Sequence, residues 1–350
     1  MMFSPLSFFR PRVGQNVSFS GSGLFSLFPG LLLLGAFSPF TLLPAQSCRL
    51  VADLSPGTGA SSPNRLICAF GNSLIFSATN GKLGQEPWVS VAGNKPVLLK
   101  DIRANGGSAP QDFTVCGKLV FFTADDGKIG RELWVTDGTA AGTRLVKDID
   151  PRPRTGSNIR DMACLGDKIV FGASNPIHGS EIRVSDGSSR GTFLLKDIRP
   201  GMSGSAPNAM TPCMNRVYFN ANDGKVGGEL WVTDGTAKGT QLLKDINVGA
   251  PSSGPQHLFC HFGTLYFAAR AGRQGIELFQ TDRTRKGTVL VKDINTSGDS
   301  TPGFFTTCGK KLFFVAATFT FGRELFVHDA NGTRMVRDIR AKGSSSPHAL

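Results

Sequence analysis

Short apolar runs punctuated by polar turns cover the chain from Arg49 onward. The stretch from Ala109 to Ile149 shows the pattern. Asp112–Cys116, Leu119–Ala124 (LVFFTA), Glu132–Thr136 and Arg144–Ile149 are dense in residues that suit strands. Gly117-Lys118, Asp125–Gly130 and Asp137–Thr143 separate them. Asp suits such turns because it bonds its own backbone two residues on, and Gly because it accepts positive φ. In the third run Glu132, Trp134 and Thr136 share one face, and Leu133 and Val135 the other. Both faces carry large apolar residues, as a sheet packed between two others requires. Neither heptads nor an amphipathic helix follow residue 47.

The pattern repeats. A closing Lys/Arg-Asp-Ile places its acid at Asp101, Asp148, Asp197, Asp245, Asp293 and Asp338, so the gaps are 47, 49, 48, 48 and 45. Each of Phe76, Phe122, Phe171, Phe219, Phe267 and Phe314 stands ten residues before a Glu: Glu86, Glu132, Glu181, Glu229, Glu277 and Glu324. Four short antiparallel strands in about 48 residues match one propeller blade. The expected fold is all-β: a six-bladed β-propeller of four-stranded antiparallel blades over Cys48–Leu350. A parallel β-helix is the alternative, although its rungs are shorter and lack hairpin turns. Trp88, Trp134 and Trp231 share one position, held elsewhere by Arg183, Phe279 and Phe326. Ring closure is left open, because Arg49–Leu54 (RLVADL) reads as a seventh fourth strand and Gly343–Leu350 resembles the start of a further unit.

The strings RELWVTDGTAAGT at Arg131–Thr143 and GELWVTDGTAKGT at Gly228–Thr240 resemble the ELWxxDGT repeat proteins of bacteria, myxobacteria in particular. The resemblance covers Arg49–Leu350 and implies an exported repeat protein. It implies no activity that could be carried onto residues. Blades three, five and six depart from the motif (EIRVSDGSS, ELFQTDRT, ELFVHDANGT), and blade one has Val91-Ala92-Gly93 in its place.

Residues 1–47 read as a secretory signal: Arg10 and Arg12, the apolar run Leu24–Leu43, then Ala45 and Ser47 before a cleavage point. An uncleaved N-terminal anchor and acylation of Cys48 are alternative readings of the same segment. Export to the periplasm, cell surface or medium follows from each.

Candidate chemistry has to be weighed against the repeat itself. A catalytic acid is needed once, so six equivalent Glu residues read as architecture, bonding backbone N–H groups. The same holds for Glu132, Asp137, Asp148, Glu229, Asp234 and Asp245, with Trp134 and Trp231 packing beside them. No catalytic residue is singled out. Calcium is the cofactor that acidic extracellular turns suggest, yet only Asp125-Asp126-Gly127 and Asn222-Asp223-Gly224 offer a carboxylate, so no cofactor is expected. Cys68, Cys116, Cys164, Cys213, Cys260 and Cys308 recur once per blade. Repetition gives each the same neighbours and creates no pairs, so they are expected as small buried residues near the axis.

Function should sit where the repeats differ. Blade five gathers Arg270, Arg273, Arg283, Arg285 and Lys286, and blade three has His178 and Arg183. The formal net charge is +12, which favours anionic partners, but no nucleic-acid motif accompanies it. These residues predict a non-catalytic extracytoplasmic binding or scaffold module, monomeric, for an extracellular protein or an anionic polysaccharide. A carbohydrate-active hydrolase or lyase with a pocket at the channel mouth is the alternative. Membrane contact is expected only through the N-terminal segment.

Overall fold

The computed structural model describes residues 50–57, 59–341 and 343–347. The signal, anchor and Cys48 readings therefore lie outside the described residues. Among those described, no helix is long and apolar enough to cross a membrane.

The chain is all-β and forms six four-stranded antiparallel sheets, each made of four consecutive strands. These are the six blades of a β-propeller, at residues 64–98, 111–147, 160–196, 208–244, 256–292 and 303–335. In blade two the strands are Gln111–Cys116, Leu119–Asp125, Arg131–Thr136 and Arg144–Lys147, within two residues of the sequence expectation. The first strands of successive blades lie side by side. A 3-10 turn at Gly272–Gln274 is the single helical element among the described residues.

The cores lie between blades, which explains why both faces of every strand are apolar. Phe121, Leu133, Val135, Val146 and Ile149 of blade two pack on Ile169, Phe171 and Ala173 of blade three. The same junction recurs between blades three and four and between four and five. The repeated second-strand Phe lies opposite the third-strand aromatic position: Phe122 opposite Trp134, Phe171 opposite Arg183 and Phe219 opposite Trp231.

The repeated motif is a backbone clamp. Buried Glu229 accepts hydrogen bonds from the Ile246 N–H (2.8 Å), the Ser253 N–H (2.7 Å) and the Ser253 hydroxyl (2.6 Å). Glu86, Glu181, Glu277 and Glu324 do the same with Ser108, Ser205, Ser300 and Ser345. In blades one to five the Glu thus ties the end of its own blade to the entrance of the next. In the turn, the carboxylate of Asp234 accepts from the Thr236 N–H and hydroxyl, and the Thr236 hydroxyl accepts from the Gly239 N–H. A Cβ at Gly239 would lie 1.9 Å from that carboxylate, so only glycine fits there.

Three expectations are revised in detail. The acids of the closing Lys-Asp-Ile bond backbone only in part: Asp245 accepts from the Gly249 N–H, yet one oxygen each of Asp197, Asp245, Asp293 and Asp338 is buried without a partner in the chain. The cysteines do pair: Cys116 bonds Cys164 and Cys213 bonds Cys260, with Cα separations of 5.2 and 5.5 Å. Cys68 and Cys308 are free and exposed. The neighbours are not equivalent, because strand register alternates from blade to blade. Finally, residues 50–54 form no strand. Leu54 instead lies on Phe76, Ala78 and Trp88 of blade one, as Ile102 lies on Phe122, Ala124 and Trp134 of blade two.

Candidate functional site: a basic hollow between blades four and five

The residues singled out from sequence do not come together. Arg270 and Arg273 flank the connection before the third strand of blade five, Ile276–Thr281, whereas Arg283, Arg285 and Lys286 follow it. A six-residue strand spans about 20 Å, so the two groups occupy opposite ends of the sheet. Arg270 is committed to Asp299 at 2.7 Å. His178 faces Asp197 at 3.0 Å.

Arg183 is no surface ligand. It is buried in the aromatic position of blade three, with its Nε and one terminal nitrogen lacking a partner in the chain. Burial pulls its pKa down, against the nearby charges of Glu132 and Glu181. Glu132 is fully buried too, and burial pushes its carboxyl up to about 7 despite the bond from the Ser157 hydroxyl. One oxygen of Glu132 is also unpartnered. A buried, incompletely bonded guanidinium is destabilising. Arg183→Phe, the residue found in blades five and six, is therefore expected to stabilise the protein by about 1–3 kcal/mol, measured as a rise in the urea midpoint.

The acids suggested for calcium are already in use. Asp125 accepts from the Gly127 N–H and pairs with Arg103, and Asp126 and Asp223 each accept two backbone N–H groups of their own turns. Among the described residues no three His, Cys, Asp or Glu side chains assemble as a metal site.

What the structure does assemble is a hollow of about 290 Å³ between blades four and five, lined by Arg216, Val232, Gln241, Asp282, Arg283 and Thr284. Its origin lies in one substitution. The turn Asp282-Arg283-Thr284 keeps the hydrogen bonds of the Asp-Gly-Thr turns, with the Asp282 carboxylate accepting from the Thr284 N–H and hydroxyl. Yet Arg283 occupies the glycine position at φ 84°, beside values of 89°, 88° and 85° for Gly138, Gly187 and Gly235. A β-carbon in the left-handed region is strained, and such strain concentrates at functional sites. In blade three the equivalent Gly187 abuts Leu119, Phe121 and Val135 of the preceding blade. In blade five Arg283 takes the glycine's place, and it lines the hollow together with Arg216.

Charge in the hollow is partly spoken for. Arg216 lies 3.6 Å from Asp234. The hydroxyl and N–H of Thr284 hold the Asp282 carboxyl below the usual carboxylate range, as Thr236 does for Asp234. Neither acid can therefore act as a proton donor near neutral pH. Burial pushes the Tyr218 phenol up, while the charges of Arg283 and Arg216 pull it down. Of the lining residues, sequence reading singled out only Arg283. Arg216 lies in the neighbouring blade, and its signal was an arginine where blade two has Leu119.

No family model matches the chain and no curated relative was found. Similar solved structures exist. A puromycin hydrolase, an S511A mutant complexed with PGG, is 16% identical, with a TM-score of 0.47 over 76% of this chain and 43% of its own. A puromycin-hydrolyzing peptidase of Mycobacterium tuberculosis is 14% identical, with a TM-score of 0.48 over 78% and 43%. A prolyl endopeptidase is 11% identical, with a TM-score of 0.48 over 78% and 42%. The chain thus spans less than half the length of these proteins. Their names are those of hydrolases and peptidases. The expectation of a non-catalytic binding or scaffold module for protein or anionic glycan is corrected: the residues predicted to bind are dispersed over two sheet ends and a buried core.

Proposed function

We propose that the hollow between blades four and five recognises a small carboxylate- or phosphate-bearing molecule, and that this is the functional site of the propeller. The observation that carries the reading is Arg283, an arginine held in a glycine conformation on the wall of a hollow that Arg216 also lines. Planar guanidinium groups match carboxylate and phosphate oxygens in pairs. Arg285 and Lys286 follow Thr284 on the same turn, are exposed, and add positive charge to it. The volume suits a small molecule. The two disulfides agree with a protein of an oxidising, extracytoplasmic compartment, and kinship with the ELWxxDGT repeat proteins is our reading of the motif.

The test is Arg283→Gly. Glycine relieves the positive φ, so this variant is expected to be more stable than the parent by about 0.5–1 kcal/mol. Isothermal titration with inorganic phosphate and with citrate should nevertheless show affinity at least fivefold weaker. Equal affinity in parent and variant, or no binding of either anion to the parent, would refute the proposal.

A further inference from the structure

We infer that Cys68 and Cys308 form a third disulfide that joins blade six to blade one and closes the ring. The inference rests on register. In the first hairpins of blades two, four and six, Cys116, Cys213 and Cys308 lie opposite Leu119, Arg216 and Lys311. Each of those partners stands three residues before the blade's Phe (Phe122, Phe219, Phe314). In blades one, three and five, Cys68, Cys164 and Cys260 lie opposite Leu74, Ile169 and Leu265. Those partners stand two residues before Phe76, Phe171 and Phe267. A shift of one residue along a strand turns a side chain to the opposite face. Cysteines of even blades therefore face forward along the ring and those of odd blades face back.

The two observed bridges obey this rule. Cys116 of blade two reaches Cys164 of blade three, and Cys213 of blade four reaches Cys260 of blade five. Cys308 has the forward register and Cys68 the backward one, and both are free and exposed. They are the two halves of the one remaining even-to-odd junction.

The faces that carry them match as well. On the forward face of blades two, three and four, Leu133, Ile182 and Leu230 are fully buried, as are Val146, Leu195 and Leu243 within 5%. The corresponding Val336 of blade six is 49% exposed and Ile339 is 62% exposed. The backward face of blade one is an apolar hollow of about 270 Å³ that includes Leu66, Leu74 and Phe76, with the strap Leu50–Leu54 lying over it. Leu66 is 57% exposed and Leu50 80% exposed. Exposed, complementary apolar faces gain by packing on each other. The strap is a second copy of the sequence that ends blade six, RLVADL beside RMVRDI. On closure Ile339 takes the place of Leu54 against Phe76 and Trp88, and the strap is displaced. The occupant of the blade-six face is therefore blade one of the same chain.

The bond forms by exchange with an oxidised thiol. The Cys68 and Cys308 thiols lose two protons and two electrons, and one molecule of oxidised glutathione is reduced to two thiols, so the step balances.

The experiment uses the full chain with Cys48→Ser, which removes the seventh cysteine. It is folded in a glutathione redox buffer, alkylated without reduction, separated by size, digested and mapped by mass spectrometry. The expected result is a Cys68–Cys308 linked peptide in the monomer fraction, beside the Cys116–Cys164 and Cys213–Cys260 peptides. Adding Cys68→Ser should make Cys308 fully alkylatable and lower the Tm by roughly 5–10 °C. Complete alkylation of Cys68 and Cys308 in a monomer whose other two bridges have formed would overturn the inference. So would a Cys68–Cys308 peptide found only in dimers, which would mean that a second copy covers the face. The mapping stands without the variant, should the variant fail to fold.

Discussion

Glu229→Ala is expected to lower stability by about 3–5 kcal/mol, read from urea unfolding. The substitution strands three buried donors at once: the Ile246 N–H, the Ser253 N–H and the Ser253 hydroxyl. Ser253→Ala removes only one of those bonds and should cost about 1 kcal/mol. Comparable losses for the two variants would mean that the carboxylate's own burial offsets its bonds. The parent should also carry a pH signature that the alanine variant lacks. Burial raises the folded-state pKa of Glu229 above its ordinary value of 4.5, so the folded protein holds this proton more tightly than the unfolded chain does. The stabilisation from that proton is fully present below the unfolded pKa and is lost as pH rises through the folded one. Stability contributed by this group thus falls as pH climbs above 4.5.

Replacing Cys213 and Cys260 together by serine is expected to cost about 4 kcal/mol, the chain-entropy value for the 47 residues between them. The loss should be local. Repeat arrays are held by nearest-neighbour interfaces, so amide exchange should quicken most in Gln256–His261 and Asn208–Cys213, the strands that the bridge joins. Uniform acceleration across all six blades would instead show that the propeller unfolds as one unit.

The blade and its clamp were legible because each is written six times; ten residues always separate Phe from Glu, and indels fall in turns. The cysteine pairs were not. They depend on whether a Cys stands six or seven residues before its Phe, as in Cys116 and Cys164. That single residue inverts a side chain while leaving the 48-residue period almost untouched. The hollow was half visible. Asp282-Arg283-Thr284 announces itself against Asp-Gly-Thr, but its companion Arg216 comes from another blade and only radial packing unites them. Conversely, Arg273 and Arg283 are close in sequence and far apart in the fold, because one strand runs between them.

The lysine that closes a repeat reaches forward. Lys147, Lys196, Lys244 and Lys292 donate to the backbone carbonyls of Thr192, Thr240, Thr288 and Thr333, each in the following blade. Blades three, four and five therefore each carry the donor for their successor and the acceptor for their predecessor within one sheet. Units built this way are interchangeable links with a direction, like couplings on a train. A duplicated stretch of about 48 residues inserted at a repeat boundary meets a compatible neighbour on each side, so lengthening the array by whole blades requires no new contact to be invented.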